Sequence, residues 1–488
     1  MLRSAQFDPP TPRNFARTPN FNTFTGWYAD ELGHAARAIR LRIGRRLVPC
    51  RTEERPDVQA AFQPGRALEL ATGFHGTFTT GPGLKLVRVE ALRPDGRWER
   101  IGWRLLRVGR QPAAATSPGA ESARPVFRSG LDGLWQSCLG LRLRHTPENC
   151  ALTWVIPDFS EGGGGHLNIF RMIRNLEELG GPSQQVLIVG RHTKQSGAEA
   201  TELAQRFFFK TRARVYLPTD AIPTTGALMA TCWQTAYFVQ EQPAEIKKFY
   251  FVQDYEPLFY TCGSNSVLAE NTYGFGFPAV TAGTWLRDRL AREHGTEAVA
   301  YGFSFDRHLY RPPVSTDFAY DIFFYARPST ERRMFDLGIA ALSAAVAAAG
   351  RPLRIAFAGS RPPPNSAPFP FTSLGILSLE ELGALYGRVR CALVLSATNA
   401  SLLPYELMAC GCPVVTNQGP NNEWLFPEGY GGVAAATPAG LGGRLAEILT
   451  QPDLRDRLSA AGLRIVAGTD WLDGARHVLE FLRKQGVA

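Results

Sequence analysis

The chain has no long hydrophobic run. No uninterrupted apolar stretch approaches the roughly 18 residues that a membrane-crossing helix needs, so no transmembrane span is expected. The longest candidate, Leu337 to Ala349, is Ala-rich and broken by Gly338 and Ser343, and it reads as a buried helix. A basic-then-apolar leader is also missing: the N-terminus soon meets Asp8, Pro9 and Pro10, and a cytoplasmic location is expected. The eight cysteines form no CxxC pair, since Cys410 and Cys412 are only two apart. Cys232, Cys391 and Cys410 sit in apolar runs, as buried reduced thiols do, so neither a zinc site nor a disulfide framework is expected. RNP, zinc-finger and basic-helix signatures are absent, which argues against nucleic acid as a partner. There is no GxSxG elbow, which argues against a serine hydrolase.

What is present suits a soluble globular protein. The 488 residues are 44% hydrophobic and 20% charged, enough chain for about three domains with large cores. The formal net charge is +9, mostly from arginines spread along the sequence. Such a balance favours anions: phosphates, nucleotides or an anionic membrane face.

The pattern shifts along the chain. A helical patch is expected near Asp30 to Arg42. From Ala67 to Val108 the periodicity is two, with turns at 81–83 (Gly-Pro-Gly) and 94–96 (Pro-Asp-Gly), which is hairpin chemistry. A small β-sandwich is expected within 1–110, followed by a linker over 111–150 whose 111–128 stretch is rich in Ala, Pro and Ser. From Ala151, apolar runs alternate with helical patterns, and the alternation restarts at Tyr320. Two α/β units with parallel sheets are therefore expected, at 151–318 and 319–470, with a cleft between them. Ligands bind such sheets at the carboxyl ends of the strands. A last helix is expected over 471–488.

Four segments at expected strand ends carry chemistry. The first is Glu161-Gly162-Gly163-Gly164-Gly165-His166, before a helix. Bare amides there suit a diphosphate or a closely approaching acceptor, or they make a plain flexible turn. The Gly spacing does not fit a dinucleotide fingerprint. The second is Gln253-Asp254-Tyr255-Glu256, after the apolar strand Phe249–Val252. Asp254 could accept a proton or hold a sugar hydroxyl, with Glu256 as the alternative, or the segment is a solvated loop with a structural Asp.

The third segment is Arg327-Pro328-Ser329-Thr330-Glu331-Arg332. Two guanidiniums beside a helix start make a diphosphate site. The fourth runs from Ser396 to Asn417. The amides of Ser401, Leu402 and Leu403 are expected in the first turn of a helix, where they would face phosphate. Glu406, one turn on, could hold ribose hydroxyls, or the segment is a plain helix–strand connection whose Glu is solvated.

In this order, the four segments over roughly 150–488 resemble the retaining GT-B glycosyltransferases of family four, and especially bacterial polysaccharide rhamnosyltransferases. The segment Arg55-Pro56-Asp57-Val58 to Gly73-Phe74 similarly resembles a β-sandwich module attached to some bacterial glycan-building enzymes. The resemblance implies that Arg327 and Arg332 bind the donor diphosphate and Glu406 the ribose. It implies that backbone near Gly375 and Ile376 touches the base, and that Asp306 lies at the hinge. The cleft and acceptor side would comprise Gly164, Gly165, His166, Gln253, Asp306, Thr398 and Asn399. One departure stands out: most of family four carries a second Glu eight residues before the ribose Glu, and here that position is Thr398.

No DxD metal motif is evident, so no metal or cofactor is expected beyond the nucleotide-sugar co-substrate, for which dTDP-L-rhamnose is the first candidate. The acceptor implied is a growing lipid-linked glycan. Two other readings stay open: a non-catalytic nucleotide-sugar or glycan-binding protein, and a nucleotide-sugar epimerase of GT-B shape.

Overall fold

The computed structural model describes residues 140–145, 151–313, 317–427 and 429–487, and in the N-terminal part 4–7, 16–17, 22–29, 36–53, 73–78, 83–93 and 95–108. The chain divides into two compact units, Met1–Arg124 and Pro125–Ala488. The stretch expected as a linker at 111–128 lies outside the described residues, as do the Arg55-to-Phe62 motif and Gly81 and Pro82.

The described residues of the N-terminal unit form two β-sheets. In one, Asn22–Ala29 and Gly73–Phe78 are paired antiparallel in the centre, with Ser4–Phe7 and Arg51–Glu53 at the edges. In the other, Gly83–Leu92 lies between Trp98–Val108 and Ala38–Ile43, antiparallel to both, and Arg46–Pro49 forms one edge. One buried cluster draws on both sheets: Tyr28 and Phe74 from the first, and Ile39, Leu41, Val48, Val87, Val89 and Ala91 from the second. The helix expected near Asp30 to Arg42 is overturned at its C-terminal end. Ala38–Ile43 is a strand in which Ile39 and Leu41 are buried and Arg40 and Arg42 face outward, the period-two pattern that a strand buried on one face requires.

The larger unit holds two parallel sheets. The first has seven strands in the spatial order Arg214–Tyr216, Gln184–Ile188, Leu152–Ile156, Ala227–Ala230, Lys247–Val252, Ala279–Ala282, Ala298–Tyr301. The second has six in the order Thr372–Gly375, Ile355–Ala358, Tyr320–Tyr325, Val389–Leu393, Val414–Asn417, Val433–Ala434. Each begins with its third strand, runs back to its first and then jumps to its fourth, the doubly wound order. The central strands are fully buried apolar runs such as Leu-Thr-Trp-Val-Ile at 152–156, as a sheet covered by helices on both faces demands. The α/β class with parallel sheets, expected from the alternation of runs, is the class observed.

Residues 140–145 pack on the first sheet's half: Leu143 is buried and its amide donates to Gln242 Oε1 at 3.0 Å. The last helix, Trp471–Lys484, begins at an Asp470 cap that accepts from the Leu472 amide at 2.9 Å. It returns to the first half, where Gly474 packs close to Tyr301. The crevice that matters lies where each strand order reverses. In the second half that point falls between Tyr320–Tyr325 and Val389–Leu393, so the chain leaving those strands, 326–333 and 394–403, lines it.

Candidate functional site between the two α/β halves

The glycine segment forms the turn from the first strand into a helix. Gly162 has φ +77°, a left-handed turn open to glycine. Gly163 caps the helix Gly164–Glu178, whose first amides, from Gly164, Gly165 and His166, precede any intrahelical acceptor. Gly164 and Gly165 are exposed. A Cβ on Gly165 would stand 3.5 Å from Gln253 Nε2, so the glycine turn and the Gln253-Asp254 segment adjoin. His166 packs between Phe159 and Phe208, and burial holds its pKa below the ordinary value.

Asp254 reaches across the cleft. Its Oδ2 accepts from Thr398 Oγ1 at 2.9 Å, and its Oδ1 accepts from the Asn399 amide at 2.8 Å. Asn399 completes the contact by donating from Nδ2 to the carbonyls of Gln253 at 3.1 Å and Ala282 at 2.8 Å. Burial raises the Asp254 pKa, against the Asn399 amide, Arg333, Thr398 and Arg332, which lower it. Asp254 therefore brings a carboxylate of the first half to Thr398 of the second.

Glu256 goes elsewhere. The strand ends at Val252 and a 3-10 turn starts at Glu256, so the two carboxylates do not share a direction as an extended backbone would make them. Glu256 is buried within the first half. It accepts from the Trp233 amide at 2.5 Å, at the first residue of the helix Trp233–Gln240, and from the Tyr250 hydroxyl at 3.3 Å. Burial pushes its pKa up to about 8.

Three arginines cluster at the second half's switch point. Arg332 Nε lies 3.9 Å from Asp254 Oδ2, and its guanidinium stacks over Phe259 at 4.2 Å. Arg327 donates to the Tyr325 hydroxyl at 3.1 Å. Arg333, which the motif does not single out, donates to Ser396 Oγ at 3.0 Å and feels the charges of Asp254, Arg332 and Arg327. Its one sequence signal is adjacency to Arg332.

The loop carrying Thr398 is held by amides that the sequence reading also passed over. The Ser396 carbonyl accepts from Asn417 Nδ2 at 3.0 Å, Asn421 Nδ2 at 3.0 Å and Asn422 Nδ2 at 3.1 Å. Trp424 Nε1 donates to Asn399 Oδ1 at 3.0 Å. The Trp424 ring fills the space at Gly283 (φ +85°) of the first half, where any Cβ would overlap it.

The following helix starts at Leu403, not at Ser401, because Pro404 fixes the first turn there. The first bonds of that turn run to Leu402 O, from the amides of Tyr405 at 2.9 Å and Glu406 at 3.2 Å. Glu406 is partly exposed. Burial of its carboxyl raises its pKa to about 7, against the nearby charge of Arg171. Arg171, from the first half, is 2% exposed and donates to Asp306 Oδ2 at 2.8 Å, in the segment joining the halves. It stacks over Trp471 of the last helix at 4.3 Å. Gly375 takes φ +73° with the Arg361 side chain against it, and Ile376 beside it is 82% exposed.

Two family matches fall within the larger unit. Residues 184–282 match the family described as WsaF, N-terminal domain, and residues 320–428 match WsaF, C-terminal domain. The chain is 33% identical over 346 residues to the O-antigen biosynthesis protein RfbC of Myxococcus xanthus, a match covering 69% of this chain and 27% of that protein. The chain thus spans little more than a quarter of that relative's length.

Two solved structures are similar in outline. AviGT4, a glycosyltransferase involved in avilamycin A biosynthesis, is 12% identical with a TM-score of 0.36, over 68% of this chain and 98% of its own. The glycotransferase of kitacinnamycin is 11% identical with a TM-score of 0.41, over 70% and 100%.

Proposed function

We propose that the protein is a GT-B-type glycosyltransferase that extends a cell-surface polysaccharide from a nucleotide-sugar. The observation that carries this reading is the meeting of Arg327, Arg332 and Arg333 with Asp254 and the 396–403 loop at the switch point of the second sheet. The arginines and the loop amides bind the donor diphosphate, and Glu406 binds the ribose. Backbone near Gly375 and Ile376 meets the base. Positive charge stabilises the departing nucleoside diphosphate as the bond from the sugar's anomeric carbon to its phosphate oxygen breaks. The acceptor hydroxyl forms the new bond to that carbon on the face from which the phosphate departs, with Asp254 orienting it or taking its proton.

The similarity to an O-antigen biosynthesis protein supports a glycan acceptor. The finer reading is retention of configuration, as in family four, with dTDP-L-rhamnose as donor and a lipid-linked glycan as acceptor, met at the cytoplasmic face of an anionic membrane. The N-terminal unit is proposed as a β-sandwich accessory module. A donor panel scored by nucleotide release, with and without lipid-linked acceptor, tests the reading. Acceptor-dependent release supports it, and a new nucleotide-sugar formed from donor alone would replace it with an epimerase.

A further inference from the structure

The N-terminal unit carries an exposed aromatic surface of its own. Trp98 and Trp103 lie on one strand, five residues apart, and a regular strand would put them on opposite faces. A β-bulge opposite Val89 and Glu90 changes that parity. Trp103 pairs with Arg88 and Trp98 with Leu92, both on the side of their strand facing away from buried Val87, Val89 and Ala91. The two indoles therefore share the outer face, separated by four residues of the neighbouring strand, about 14 Å at 3.4 Å per residue. They are 38% and 57% exposed, and Leu86 on the same face is 37% exposed.

The charge between them is positive. Glu90 is neutralised by two arginines, accepting from Arg40 Nε at 2.8 Å and Arg42 Nε at 2.5 Å. Arg40 also stacks over Trp98 at 3.7 Å. Arg88 and Arg100, paired in register with Trp103 and Glu90, are exposed on the same face.

We propose that this outer sheet face binds an acidic glycan chain, its sugar rings stacking on Trp98 and Trp103 and its carboxylate or phosphate groups meeting Arg88 and Arg100. Indoles present a flat apolar surface to the C–H face of a sugar, and guanidiniums present forks to its anionic groups. The choice of a glycan over another anionic chain rests on the glycosyltransferase reading above. The surface would hold the product or acceptor polysaccharide on the enzyme.

The test uses the full-length protein and immobilised alginate as the acidic probe, with dextran and polyuridylate alongside. The parent is expected to bind alginate more tightly than either. Joint replacement Trp98→Ala and Trp103→Ala is expected to weaken alginate binding by about tenfold or more. Arg88→Glu, at an exposed position, is expected to weaken it without touching the indoles. Neither variant should change the slow nucleotide release from donor in the absence of acceptor. The proposal is overturned if the parent does not retain alginate, if the variants bind as the parent does, or if polyuridylate binds more tightly. It is also overturned if the parent self-associates through this face and the double variant is monomeric. A protein that releases nucleotide from no donor yet retains alginate through its tryptophans would remove the transferase reading and leave this one standing.

Discussion

Asp254 Oδ2 and Thr398 Oγ1 are hydrogen-bonded at 2.9 Å across the cleft between the two α/β halves. The first half thus brings a carboxylate onto Thr398 and the Asn399 amide of the second, so the position of Asp254 depends on how the halves meet. Asp254→Asn keeps shape and hydrogen-bonding capacity while removing charge. It is expected to lower turnover about a hundredfold or more, the scale of a lost general base, with donor affinity within a few fold. Thr398→Val removes one donor and should cost less, about tenfold, the low end for a hydrogen bond to a charged group. Equal losses in the two single variants, with no further loss in the double variant, would make Asp254 a latch and not a reacting group.

Among the described residues the Arg327 guanidinium is held by Tyr325, through a hydrogen bond and a stack on its ring, whereas the Arg333 guanidinium is held by Ser396 of the loop. Each charge-assisted contact to phosphate contributes roughly 1.5–3 kcal/mol. Arg327→Ala should therefore weaken nucleoside diphosphate binding by about tenfold to a hundredfold. Arg327→Lys should recover only part of that, since an ammonium cannot form the fork. Calorimetric titration of both variants and of Arg332→Ala checks this. Unchanged affinity in both alanine variants would place the donor elsewhere.

Sequence reading located what periodicity controls. The buried strands around Leu152–Ile156, Val186–Ile188 and Ile322–Tyr325 are apolar runs, and the helix Trp471–Lys484 repeats its apolar residues at helical spacing. It failed where tertiary contact decides. The strand Ala298–Tyr301 is short and follows an Arg-rich helix, so it gave little signal. Glu256 would share the direction of Asp254 only on an extended backbone, and the strand ends before it. Arg171 and the asparagines 417, 421 and 422 acquire their meaning from partners as far apart in the chain as Asp306 and Ser396, a relationship no local pattern encodes.

The proposed diphosphate site consists of arginines and amides, so activity is expected to survive millimolar EDTA. Complete loss on chelation, restored by magnesium or manganese, would remove the assignment of the diphosphate to Arg327 and Arg332.

A chain beginning at residue 129 retains the whole of both parallel sheets. It is expected to fold and bind nucleoside diphosphate as the full protein does, while acceptor use falls. Insolubility, or loss of donor binding, would make the N-terminal unit part of the catalytic core. Circular dichroism and a diphosphate titration on the shortened protein distinguish these outcomes.

Glu256 links stability to pH. Burial raises its pKa from an ordinary 4.5 to about 8, and the charge of Asp254 adds to the rise, while the Trp233 amide and Tyr250 hydroxyl oppose it. Between those two values the folded protein holds a proton that the unfolded chain has released. Stability from this group is therefore fully present below the ordinary value and is lost as pH rises towards about 8. Glu406, raised to about 7, acts in the same sense over a narrower window. Glu256→Gln imitates the protonated form and still offers an oxygen to the Trp233 amide. Its melting temperature should fall less than the parent's between about pH 5 and pH 9, with a residual slope from Glu406 and other groups. Turnover at neutral pH should change little, because the carboxylate caps a helix inside the first half and does not face the cleft. Parallel melting curves for parent and variant across that range would mean that Glu256 is ionised at neutral pH. A large loss of turnover at unchanged stability would instead return it to the reacting groups.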